Sequence, residues 1–202
     1  MTILLHKQIC QATCVLAVFA SIGATAAVVA GFINLGTFHG TSLKDSVAIW
    51  CGLLMFVHVF MGLMMMGTRH MYTAAIYILV NIVCLGLNVY GIFISYDYYD
   101  DFKAFREYHE KKNGGVCSLP TLTSQCVCTV NGQPKSFKDG YSVSNCLLFS
   151  FGEDLWLSIL IFLCFSTLMV IMGLILGCIS ICWEVMSAPE KKDARRKSMR
   201  VM

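Results

Sequence analysis

Charge is what this chain has little of. Asp, Glu, Lys and Arg make up 13% of its 202 residues, and they are unevenly placed. None occurs in residues 8–43, 46–68, 70–96 or 155–183. Each gap is long enough to cross a hydrocarbon core of about 30 Å as a helix, which takes roughly 18–20 residues. Hydrophobic residues reach 57%, more than a soluble domain of this size can readily hide. Backbone groups in lipid must be satisfied within their own segment, so the runs are expected as helices. The fold class expected is an all-α membrane protein. It is a four-helix transmembrane bundle with spans near 12–35, 46–68, 72–95 and 155–182.

Other absences narrow the function. There is no Gly-rich phosphate loop, no metalloprotease motif and no nucleophile elbow. The five histidines (His6, His39, His58, His70, His109) are scattered. No enzyme, catalytic residue, cofactor or metal is expected. No Asp, Glu, Lys or Arg lies inside a span, which argues against an ion-coupled transporter. The first run is too long for a cleavable signal peptide, and its polar end (Asn34, Gly36, His39) leads directly into a second span.

What charge there is collects between and beyond these runs, chiefly in residues 97–154 and 184–202. The tail "PEKKDARRKSMR" sets six bases (Lys191, Lys192, Arg195, Arg196, Lys197, Arg200) against two acids. Positive residues flanking spans stay cytoplasmic, and Lys7 and Arg69 agree with that side. Residues 1–183 then form a membrane domain with both termini cytoplasmic. Its long loop, 97–154, is extracellular, and 184–202 is a basic cytoplasmic tail. The tail suits anionic lipid, at about 1 kcal/mol per base, and is too short to indicate nucleic acid.

Placing the loop outside bears on its four cysteines. In an oxidising compartment Cys117, Cys126, Cys128 and Cys146 favour disulfides. Their spacing lacks the knuckles of common zinc sites. The stretch "CVCTVNGQPKSF" reads as a hairpin, with Asn131-Gly132 supplying the positive φ angles of a type I′ turn. Cys126 and Cys128 then share one strand face, and a bond between them is badly strained. Cys117 and Cys146 are each expected to take one of that pair, in either order. Before the hairpin, Tyr98, Phe102, Phe105 and Tyr108 or His109 recur at helical spacing. Arg106–Glu110 and Glu107–Lys111 are i,i+4 pairs. The third span is expected to continue as an amphipathic helix stopping near Asn113-Gly114. Asp97, Asp100 and Asp101 read as a solvated acidic face rather than a calcium site.

Inside the spans polar residues are few. Asn81 and Asn88 lie seven apart on one face of the third helix, His58 near the middle of the second, and Asn34 near the end of the first. Interhelical hydrogen bonding is the ordinary use of such groups. Gly23, Ala27 and Gly31, and Gly173 and Gly177, recur every four residues and fit small-xxx-small helix packing. Met64, Met65 and Met66 read as lipid-facing or filler residues. Cys10, Cys14, Cys178 and Cys182 near the cytoplasmic ends are either S-palmitoylation sites or plain buried thiols. Cys51, Cys84 and Cys164 read as small apolar residues.

Four spans, a short first loop and a disulfide-bearing second loop make a layout that tetraspanins share, but the Cys-Cys-Gly motif of their large loop is absent. Claudins place their large loop between the first two spans. The stretches "IWCGLLMFVHVFMGLMMMGTRH", "AAIYILVNIVCLGLNVYGIFI" and "LGCISICW" resemble the second span, third span and fourth-span exit of the membrane-spanning four-domain family of the B-lymphocyte antigen, with its relative sarcospan. The resemblance implies an oligomeric accessory protein at the plasma membrane, homo- or hetero-oligomeric. It would assemble with receptors, channels or adhesion complexes. The expected function is therefore a non-enzymatic tetraspan scaffold, with a channel or transporter subunit carrying its pathway near Asn81, Asn88 and His58 as the alternative.

Overall fold

A computed structural model gives the fold. It describes residues 2–38, 44–68, 71–111, 114–118, 126–135 and 143–199, without the side chains of residues 2–7, 10, 184 and 187–199. Four helices dominate: α1 (Thr2–Phe38), α2 (Val47–Thr68), α3 (Met71–His109) and α4 (Leu148–Met199). All four are long and apolar enough to cross a membrane, which fits an integral multi-pass membrane protein. Between α3 and α4 lie three short strands: β1 (Gly115–Ser118), β2 (Val127–Val130) and β3 (Gln133–Lys135).

Helices α1, α3 and α4 run past the expected spans because the hydrocarbon-length limit does not end a helix, whereas α2 keeps to the expected 46–68. The third span continues to His109, and Tyr98, Phe102 and Phe105 all turn inward, as their spacing predicts. The helix stops sooner than the Asn113-Gly114 signal. Glu110 N–H still donates to the Arg106 carbonyl, but Lys111 turns to a φ of 59° and donates to Tyr108. Asn113 lies outside the described residues. At the other side of the loop, α4 begins at Leu148, seven residues before the charge-free run. Asn145 Oδ1 accepts from Leu147 N–H at 3.0 Å, a local turn that precedes the helix.

Inside the bundle the apolar residues are divided by face. Ala20, Ala24 and Ala27 of α1 are buried, whereas Val18, Phe19, Ile22 and Phe32 are exposed. Exposed apolar faces of this extent are what a hydrocarbon surround requires. Met64 is exposed and Met65 buried, so the methionine run serves both surfaces.

The small residues are used within the chain. A Cβ on Gly23 would sit 3.1 Å from the Phe165 ring of α4. On Gly31 it would sit 3.0 Å from the Ile49 nitrogen of α2. Gly52 of α2, where a Cβ would stand 2.9 Å from the Ala24 carbonyl oxygen of α1, makes an equally close approach, and Ala48 one turn before it completes a small-xxx-small pair. On Gly177 a Cβ would meet the Ile78 side chain of α3 at 2.8 Å.

The sheet is antiparallel in the order β1-β2-β3, with Cys117 opposite Cys128. Asn131 (φ 52°) and Gly132 (φ 78°) form the β2–β3 turn, in the left-handed region a type I′ hairpin demands. Strand β1 was not foreseen; its four residues carry no alternation strong enough to mark them.

Candidate functional site

Among the described residues, polar side chains gather in a cluster inside the bundle, in a knot at the α1–α2 turn and in the disulfide-linked head.

The inner cluster begins with Tyr77. Its register on α3 sets it one turn from Asn81, so both project from the same face. The two are 1% and 0% exposed. His58 of α2 joins them, its ring centroid 5.5 Å from that of Tyr77. Gly173 of α4 closes the fourth side: a Cβ there would stand 2.6 Å from the Tyr77 hydroxyl oxygen, 2.8 Å from Asn81 Oδ1 and 2.8 Å from His58 Cε1. On the α1 side, Thr13 is buried and bonds its own helix, donating to the Ile9 carbonyl at 2.9 Å. Its methyl carbon and the Tyr77 hydroxyl both lie 3.7 Å from the Cβ position of Gly62. Helices α2, α3 and α4 thus meet at Tyr77, with Thr13 of α1 close by across Gly62.

The hydrogen bonding of the cluster is incomplete. Asn81 Nδ2 donates to the Tyr77 carbonyl at 2.7 Å, a bond within α3 rather than across to a neighbour. Asn81 Oδ1 faces the same Gly173 position as the His58 ring of α2, each 2.8 Å from a Cβ placed there. Asn88 does reach across, its Nδ2 donating to the Met55 sulfur of α2 at 3.5 Å. His58 Nδ1, Asn81 Oδ1 and Asn88 Oδ1 have no hydrogen-bond partner among the described residues. A buried acceptor left so costs about 1–3 kcal/mol.

Asn34 acts at the end of α1 nearest the sheet. Its Nδ2 donates to the Asp45 carbonyl at 3.0 Å. The Asp45 carboxylate, 2% exposed as a residue, accepts from the Tyr98 hydroxyl at 2.8 Å. Tyr98 in turn stacks on Trp156 of α4 at 4.5 Å. This knot fastens the α1–α2 turn to α3 and α4. The sequence offered no signal for it, because Asp45 reads there as an ordinary loop acid.

The head is built on two disulfides. Cys117 pairs with Cys128 and Cys126 with Cys146, which resolves the order the spacing left open. The first bridges β1 to β2. The second bridges the start of β2 to the approach of α4, where Cys126 N–H also donates to the Val143 carbonyl at 2.8 Å. Three of the sulfurs, those of Cys117, Cys126 and Cys128, lie within 4.8 Å of one another. All three are committed to S–S bonds, and a sulfur so bonded is no thiolate ligand.

Cys128, Val143 and Cys146 belong to the same apolar cluster as Phe102, Phe105, Phe149, Trp156 and Val47. Tyr108 packs so tightly under Gly115 that a Cβ there would lie 2.7 Å from the Tyr108 Cα. Arg106 adds a polar tie between helices, donating to Glu153 of α4 at 2.8 Å and to Glu110 at 3.0 Å. The core therefore runs unbroken from bundle to sheet.

Neither the protein-family models nor the curated proteins compared with the chain gave a match.

The remaining cysteines divide by exposure. Cys14, Cys178 and Cys182 present exposed thiols, while the Cys10 side chain lies outside the described residues. Cys51 and Cys84 are buried, their thiols directed to the Leu87 and Leu54 carbonyls at 3.8 and 3.7 Å. Cys164 is exposed on α4. The basic side chains of the tail also lie outside the described ones.

Proposed function

We propose that the chain is a non-enzymatic tetraspan scaffold or accessory subunit of the plasma membrane. Its disulfide-locked head is extracellular and both termini are cytoplasmic. It assembles with other membrane proteins, as a homo- or hetero-oligomer, in the manner implied by its resemblance to the membrane-spanning four-domain family. Anionic lipid holds the basic tail against the inner leaflet.

The observation that carries this reading is the continuous core between bundle and head. A loop linked only by flexible chain would pay an ordering cost on meeting a partner. A sheet fastened by two disulfides and seated on α3 and α4 is already ordered. The exposed positions of the head, Val116 and the whole of β3, are what it offers. Because Gly23, Gly31, Gly173 and Gly177 already pack within the chain, partners are met by the head and the lipid-facing residues instead.

Affinity purification from native membranes tests this, comparing the wild type with the Cys117→Ser/Cys128→Ser double variant. Stoichiometric co-purifying membrane proteins, reduced in the variant, are expected. The wild type emerging alone from gently solubilised membranes would count against assembly.

The second reading is a channel or transporter subunit, and the unpartnered atoms of His58, Asn81 and Asn88 favour it. Flux through liposomes holding the purified chain, abolished in Asn81→Leu/Asn88→Leu while assembly is unchanged, would make it the better account.

A further inference from the structure

Two thiols sit one helical turn apart on the outer face of α4. Cys178 and Cys182 are both exposed, and Ile171, Ile175 and Val185, exposed as well, continue the same stripe. Residues three, four and seven apart share one face of a helix. Their exposure removes the reading of these two as plain buried thiols and turns them to the lipid side of the bundle.

Their level follows from how α3 and α4 pack. Partners along this seam step in opposite directions: Tyr98 meets Trp156, Gly91 meets Leu163 and Tyr77 meets Gly177. Continued at the same register, Cys182 falls level with Tyr72, and Trp183 with Met71, the first residue of α3. Trp and Tyr gather where hydrocarbon meets headgroups, and Tyr72 is 84% exposed. The apolar span of α4 also ends at Trp183, and Arg69 stands just before Met71 in the sequence. Cys182 is therefore at the membrane surface and Cys178 about 6 Å beneath it. Cys164, exposed on the same helix, lies about 21 Å deeper than Cys178.

We propose that Cys178 and Cys182 are acylation sites, each carrying a long-chain fatty acyl group as a thioester. The donor is a long-chain acyl-coenzyme A, delivered by a membrane acyltransferase. The cysteine sulfur attacks the acyl carbonyl carbon. The new carbon–sulfur bond replaces the one to coenzyme A, which leaves as its thiol with the cysteine proton, and nothing is oxidised or reduced. Such a donor keeps its nucleotide in water while its chain lies in the leaflet, so it meets a thiol only near the surface. Juxtamembrane cysteines are the ones so modified. Depth therefore selects Cys178 and Cys182 and excludes Cys164, although all three are exposed. The attached chains run back into the leaflet along Ile175 and Ile171 on the same stripe.

Acyl exchange on the full chain in native membranes tests this. Thiols are blocked and thioesters are then cleaved with neutral hydroxylamine. Each thiol so released takes one polyethylene glycol maleimide, counted by gel shift. Cys178→Ala and Cys182→Ala are each expected to remove one tag from the wild-type count, and the double variant two. Cys164→Ala should remove none. Omitting hydroxylamine should abolish the tags, which separates a thioester from a thioether or disulfide. Non-reducing mapping of both head disulfides certifies that each variant is folded. A count unchanged in the double variant, or lowered in Cys164→Ala, would overturn the proposal. The assignment rests on the cytoplasmic placement of this end of the bundle, and an epitope after Met202 separates the two failures. An epitope reached by antibody in intact cells would overturn the placement and the acylation together. A shielded epitope with an unchanged count would overturn the acylation alone.

Discussion

Gly173 of α4 faces the hydroxyl of Tyr77 on α3 so closely that a methyl group at position 173 would lie 2.6 Å from the phenolic oxygen. Asn81 Oδ1 and His58 Cε1 hold that position from the other sides, each at 2.8 Å. The helices meet here because the glycine has no side chain. Gly173→Ala is expected to destabilise the bundle by about 1–3 kcal/mol, the usual cost of overpacking. Gly86→Ala, inside α3 where a Cβ meets nothing within 4 Å, should instead stabilise it by about 0.5–1 kcal/mol. Thermal unfolding in detergent compares the two. Equal stabilities would mean that the helices do not approach as closely as described.

Replacing Asn81 and Asn88 with Leu should have a modest effect. Asn81 spends its donor on its own helix and Asn88 meets only a thioether sulfur. Interhelical bonds of this class average about 0.6 kcal/mol and reach about 1.7. Expression and assembly of the double variant, measured by size-exclusion chromatography, should fall slightly. Complete loss of assembly would show that the amides contribute far more than these contacts account for.

Tyr98→Phe removes the hydroxyl that donates to the Asp45 carboxylate and keeps the ring stacked on Trp156. Hydrogen bonds to charged groups contribute about 1.5–3 kcal/mol. A loss of that size is expected in denaturant or thermal unfolding. A smaller loss in Tyr98→Phe/Asp45→Asn than the sum of the two single variants would establish the coupling. Full additivity would sever the link between the two residues.

Peptide mapping without reduction should find Cys117 joined to Cys128 and Cys126 joined to Cys146 in the mature protein. Recovery of Cys117 with Cys126 would contradict the register of β1 and β2. Free thiols at all four positions would remove the head described here, and with it the basis for placing this loop in an oxidising compartment.

Much of the architecture was legible because membrane crossing imposes a length and a composition. The gaps in charge located four long apolar helices, and the Asn131-Gly132 turn located the hairpin. The inward stripe of Tyr98, Phe102 and Phe105 was legible for the same reason: helical period survives outside the bilayer. What escaped depends on meetings between distant segments. Tyr77 looks like one more apolar aromatic until Gly173 comes beside it. Asp45 looks like a loop acid until Tyr98 reaches it from 53 positions away. Gly52 and Gly91 pack against Ala24 and Cys51, and their own small neighbours four residues away, Ala48 and Ser95, are too common a spacing to single them out. Asn81 was legible as a buried polar residue, but the bond of its amide to the Tyr77 carbonyl is local geometry that spacing alone does not reveal.

We propose that the disulfide-locked head is a rigid platform for other membrane proteins. Lys103, Lys111 and Lys135 are exposed at that end of the molecule and give it chemical handles. Lysine-reactive cross-linking of intact cells with a membrane-impermeant reagent, read by mass spectrometry, measures the claim directly. The account predicts reproducible cross-links from these lysines to a second polypeptide, another copy or a different membrane protein. It also predicts their loss when Cys117 and Cys128 are replaced by Ser. Cross-links confined to single chains, in membranes where the protein is abundant, would contradict it.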